Sequence, residues 1–178
     1  MTGREHASVS PAGGLEVAAD DGEKAALRWF LQAQRDSVLA IVEGLDEKAL
    51  TTPVLASGWT PLGMIEHLGF AERHWFQQVA ADSAEPLPWS NDDPPLVTSR
   101  RSGAVLAFYR DQCARSDAVL AATPLATPPL GRQSDMPEGE ITDLRRIVLH
   151  MIEETARHAG HLDVAREMID GQTGLGPR

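Results

Sequence analysis

The chain has a single cysteine, Cys113, among 178 residues. That excludes an intrachain disulfide framework and suits a reducing, cytoplasmic setting. Long hydrophobic runs are missing as well. No window approaches the roughly 20 apolar residues needed to cross a bilayer, so no membrane association is expected. The opening Met1-Thr-Gly-Arg-Glu-His-Ala-Ser8 carries no apolar run after its charges, so it does not read as a signal peptide. Basic residues are sparse, with Arg100-Arg101 and Arg145-Arg146 the only adjacent pairs, and the formal net charge is -10. Such a chain repels phosphate backbones, which removes nucleic acid from the expected partners. Period-2 alternation is also lacking, apart from a short extended piece around Thr127 to Gln133. There is no internal repeat.

What is present is an ordinary globular composition, 42% hydrophobic and 24% charged, of a length that fits one domain. Residues 1–21, rich in Gly, Ser, Pro, Ala and acids, read as a flexible N-terminal tail. A single domain is expected over 22–171, with a C-terminal tail over 172–178. Its first helix should run from about Asp21 to Glu43, capped by Asp20 or Asp21 and stopped at Gly44. Leu27, Phe30, Leu31, Gln34, Val38, Ile41 and Val42 recur along it at helical spacing. Asp46 to Leu50 could form a further short turn.

The second helix opens at Thr60-Pro61, where Thr60 can cap and the missing Pro N–H costs nothing. It continues to about Ala81. A Pro-rich connection, Glu85 to Thr98, precedes a third helix over about Ser99–Ala122, and a second Pro/Gly-rich connection spans Thr123 to Gly139. The fourth helix starts near Thr142 and ends before Gly171, a suitable C-terminal cap. Four long amphipathic helices predict an all-α fold, a four-helix bundle with long Pro-rich connections, either up-down or with a crossover.

The last helix crowds His150, Glu153, Glu154, His158 and His161 into fewer than four turns. At about 3.6 residues per turn, side chains four apart share a face, so His150, Glu154 and His158 form a ladder. Imidazoles and a carboxylate at that spacing are ligands for zinc, iron or nickel. Leu144, Val148, Met151, Thr155, Leu162 and Ile169 mark the buried stripe. His158 falls within roughly 40° of its centre and Glu154 within roughly 80°. His150 and His161 lie toward the flank, and Glu153 points outward.

A third donor has to come from elsewhere. His67 and His74 share a stripe on the second helix with Gly63 and Phe70, beside the main apolar face. One of them, with Glu154 and His158, would make a three-ligand set with open positions, the pattern of a catalytic site. The plainer readings are a surface or capping His pair, a partly buried structural His67, and a Glu154–His158 pair on a solvated face. Spacing alone leaves both open.

Two motifs carry a resemblance over residues of about 23 to 171. Ser57-Gly-Trp-Thr-Pro-Leu-Gly-Met-Ile-Glu-His-Leu68 and Leu149-His-Met-Ile-Glu-Glu-Thr-Ala-Arg-His-Ala-Gly-His-Leu-Asp163 resemble the DinB-like (YfiT-like) superfamily. Within it they look like an actinobacterial-type branch related to mycothiol-dependent S-transferases. The resemblance implies a four-helix bundle holding a divalent metal through one residue of helix two and two of helix four. Carried onto this chain, the ligands are His67, Glu154 and His158. Many relatives have histidine where Glu154 stands and Gln where His161 stands, so no ligand role passes to His161.

The function so implied is a metal-dependent S-transferase, with a mycothiol-type low-molecular-weight thiol as the metal-activated nucleophile on a small electrophile. Zinc is the first choice of metal, with nickel, iron or manganese as others. Arg157 or Arg166 could bind an anionic group of thiol or substrate, and Cys113 is expected to be buried packing. The alternatives are a metal-dependent hydrolase, in which Glu154 assists a metal-bound water, and a non-catalytic metal-binding stress or structural protein. Relatives often form homodimers, and no sequence feature decides pairing here.

Overall fold

A computed structural model describes residues 12–83, 96–131 and 140–174, the first ten of these as backbone only. Its helices are α1 (Ala12–Val42), the short α2 (Glu47–Thr51), α3 (Pro61–Glu72), α4 (Ser102–Ala122) and α5 (Leu144–Asp170). Beyond Glu72, α3 continues as a π-helix over Arg73–Ala80, which the apolar periodicity did not signal. The described residues contain no strand, including 127–131 of the expected extended piece. The all-α bundle expected from the sequence is the observed fold. None of the described helices is long and apolar enough to cross a membrane.

Local chemistry accounts for the helix ends. Thr60 Oγ1 accepts the Gly63 N–H at 3.0 Å, with Pro61 in the first helical position. Asp143 does the same for the Arg146 N–H at the start of α5. Gly44 and Gly171 adopt φ of +78° and +77°, the left-handed conformation that ends a helix and that glycine enters without strain. Helix α1 departs from expectation at its start. It begins at Ala12, so Asp20 and Asp21 lie inside it, where Ala18 and Ala19 favour continuation. The remainder of the expected tail, residues 1–11, lies outside the described residues, as do 85–95 of the first Pro-rich connection and 132–139 of the second.

Paired contacts fix the topology. Arg145 meets Glu23 and Arg166 meets the Ile41 carbonyl, so α5 runs parallel to α1. His67 meets His158 while Trp75 meets His150, so α3 runs antiparallel to α5. Phe70 packs on Phe108 and Ser116 bonds the Glu72 carbonyl, so α4 follows the direction of α3. Parallel neighbours need a connection that travels back the length of the bundle. By Leu96 the chain has returned to the start of α3, where the Leu96 carbonyl accepts the Thr60 N–H at 3.0 Å. Gly63 permits this close approach, because a Cβ there would collide with Leu96.

The interior divides into two apolar clusters. One gathers Leu31, Trp75, Phe76, Leu120, Leu144, Ile147 and Met151. The other gathers Val38, Val42, Leu62, Ile65, Leu68, Val105, Tyr109 and Leu162. Arg35, Glu72, Gln112, Ser116 and Thr155, all buried, form a polar belt at the level of the bundle where one cluster gives way to the other. Arg35 anchors it, donating to both Glu72 oxygens at 2.7 Å and to Asp117 Oδ1 at 2.8 Å. Burial opposes the Arg35 charge, but Glu72 and then Asp117 more than offset this and keep the guanidinium protonated. Phe30, expected in the α1 stripe, is instead 53% exposed and stacks edge-on with Trp29. The buried α1 face is Leu31, Arg35, Val38, Ile41 and Val42, and Phe30 lies off it.

Candidate metal centre

Between α3 and α5, at the margin of the polar belt, three side chains meet. His67 and His158 both point Nε2 at the same oxygen, Glu154 Oε1, at 3.2 and 2.9 Å. The two rings stand edge to face, centroids 5.1 Å apart. The i,i+4 spacing of Glu154 and His158 aligns them on α5, and the antiparallel course of α3 brings His67 opposite. All three are partly buried, His158 the most, at 14% side-chain exposure.

The three residues picked out from the sequence are thus side by side. One ligand atom from each lies within 4.8 Å of the other two, the only such group of three or more His, Cys, Asp or Glu among the described residues. Donors bound tetrahedrally to zinc stand about 3.4 Å from one another. The Glu154 contacts of 3.2 and 2.9 Å are already close to that, so the donor set fits a divalent cation. Hydrogen bonds from His158 and then His67, against the effect of burial, hold the Glu154 carboxyl well below the usual carboxylate range. Glu154 is therefore ionised at neutral pH.

The other residues named from the sequence fall around this group. His161 Nδ1 lies 3.2 Å from His158 Nδ1, and the Trp59 ring is 6.3 Å from the His161 ring. Burial, then the charges of His158 and Arg157, push the His161 imidazole below its ordinary range, with Glu154 opposing. The i,i+3 spacing of His158 and His161 does predict their contact, and it was the signal available for a supporting role. His74 bonds Gln78 at 2.9 Å and takes no part. His150 stacks on Trp75, centroids 4.4 Å apart. It also lines a cavity of about 460 Å³ with Ile141, Arg146, Leu149 and Glu153.

Arg157 is exposed, three residues from Glu154, with no ion-pair partner among the described residues. Arg166, its alternative as an anion anchor, is instead 8% exposed. It donates to the Ile41 and Glu43 carbonyls at 2.6 and 2.8 Å, closing the C-terminal end of α1. Being a capping residue, it is unavailable to a ligand.

No curated protein and no solved structure matches the chain significantly. The family model described as Mycothiol-S-transferase matches residues 26–171, from within α1 to the glycine that ends α5. On that match, which covers most of the chain and both motifs, the chain belongs to the mycothiol-S-transferase family.

Proposed function

We propose that this protein is a metal-dependent S-transferase joining a mycothiol-type thiol to a small electrophile. The observation carrying the reading is the convergence of His67, Glu154 and His158 in a chain of this family. Three donors leave further coordination positions open, as catalytic sites do and closed structural sites do not. When bound there, a divalent cation, zinc foremost with nickel, iron or manganese as the other candidates, would keep a thiol ionised at neutral pH.

His67 and His158 would hold the cation through ring nitrogens, and Glu154 through its carboxylate. As the anionic group at the reacting centre, Glu154 is the catalytic residue we assign. Its low proton affinity suits a permanent charge and not a proton store. Arg157, one turn away and unpaired, would hold an anionic group of thiol or electrophile. The cavity beside His150 offers room for the body of a small molecule. Cys113, partly buried on α4, is not a nucleophile in this reading, since burial first and Glu72 next push its thiol up to about 12. The reacting sulfur therefore comes from the cosubstrate.

The test is elemental analysis of protein purified without a His-tag, followed by turnover of monochlorobimane with mycothiol on the metal-loaded protein. Thiol-dependent conjugation above the uncatalysed rate is expected. Failure with mycothiol, bacillithiol and glutathione alike would overturn the reading.

A further inference from the structure

Ligating imidazoles are held in place through the ring nitrogen that faces away from the cation. In His158 that nitrogen is Nδ1, and its neighbour at 3.2 Å is Nδ1 of His161. Nε2 of the same ring meets Glu154 Oε1 at 2.9 Å. A neutral imidazole has one donor nitrogen and one acceptor. While His158 donates from Nε2 to the Glu154 carboxylate, its Nδ1 is an acceptor, and His161 must donate from Nδ1. To bind a cation through Nε2, His158 must carry its hydrogen on Nδ1. His161 Nδ1 then has to accept.

A second imidazole can do both. In the exchange, the His158 Nε2 proton leaves to solvent and the His161 Nδ1 proton passes to His158 Nδ1. His161 then gains a proton from solvent on Nε2. The pair holds the same number of protons before and after. His161 is exposed, so its outer nitrogen has solvent to exchange with, and the Trp59 ring stands beside it.

We infer that His161 is a positioning residue that partners His158 Nδ1 in either tautomer, letting His158 Nε2 change from hydrogen-bond donor to metal ligand. The inference rests on the reading of His67, Glu154 and His158 as a metal centre.

The test compares zinc affinity, by chelator competition, of the full chain and three variants. His161→Ala can neither donate nor accept, and His161→Lys can only donate. Both should bind zinc about ten- to hundredfold more weakly. His161→Gln, whose amide both donates and accepts, should stay close to the parent. Nitrogen-15 shifts of the His158 ring give a readout independent of activity. The proton should sit on Nε2 in the metal-free parent and on Nδ1 in the zinc-loaded one. Unchanged zinc affinity in His161→Ala, or a metal-free His158 already protonated on Nδ1 alone, overturns the role of His161 while leaving the centre standing. A parent that binds no zinc overturns both. His161 lies outside both apolar clusters, so these variants should fold.

Discussion

Arg35 and Glu72 face each other through two parallel hydrogen bonds of 2.7 Å, both side chains essentially sealed from solvent. Such a pair stabilises less than its geometry implies, because both charges were stripped of water to make it. Removing one partner is a different matter. Arg35→Ala should lower the unfolding free energy by about 3–5 kcal/mol, since Glu72 is left as an uncompensated buried charge. The double replacement Arg35→Met with Glu72→Leu should be clearly less harmful than either single change. Urea denaturation of the three variants measures this, and additive losses would contradict it.

The proposed metal centre predicts a separation of metal content from stability. His67→Ala, Glu154→Gln and His158→Ala should each weaken zinc binding more than about a hundredfold, beyond the loss typical of an outer partner. The metal-free variants should unfold within about 1 kcal/mol of the metal-free parent, as expected for partly exposed positions. Bound metal undiminished in all three would show that the ion sits elsewhere.

Cys113 sets a pH prediction. Burial, with Glu72 next, raises its thiol from near 9 to about 12. The folded state therefore keeps a proton that the unfolded chain gives up. The resulting stability is fully present below pH 9 and is lost as pH rises toward 12. Folded protein should resist iodoacetamide at pH 8 and react once denatured. Cys113→Ala should flatten the alkaline fall in stability, and rapid native alkylation would argue against the raised thiol.

Gly63 offers a backbone test. Its missing Cβ is what lets the Leu96 carbonyl reach the start of α3. Gly63→Ala should destabilise by about 1–3 kcal/mol, as overpacking does, although alanine is the better helix former. A stabilised variant would mean that the returning chain does not press on α3.

Much of this was legible in the sequence because it was written in local spacing. Thr60-Pro61 and Gly171 mark helix ends whatever surrounds them. Glu154 and His158 are aligned by the helix itself, so their pairing follows once α5 is recognised. His67 needed more. Two histidines shared its stripe, and only the motif around it, Glu66-His67-Leu68, separated it from His74. The polar belt was hidden, because apolar periodicity counts a buried Arg35 or Glu72 as surface. The apolar spacing puts Gln34 in the α1 stripe and omits Arg35, although Arg35 is the one that is fully packed. The π-helical continuation of α3 left no trace in residue type. Nor did the parallel course of α3 and α4, which depends on where a long connection leads and not on its composition.

Helix α5 is fastened near both ends. Arg145 grips Glu23, three turns into α1, and Arg166 grips the carbonyls at its finish. A rod clamped in this way has little freedom to slide along its axis, and Glu154 and His158 lie between the clamps. The gap facing His67 lies on the other side of α5, and its second wall is α3, which neither clamp holds. In the proposed metal centre, adjustment to cations of different radius therefore falls to α3 and His67, while α5 presents Glu154 and His158 from a held position.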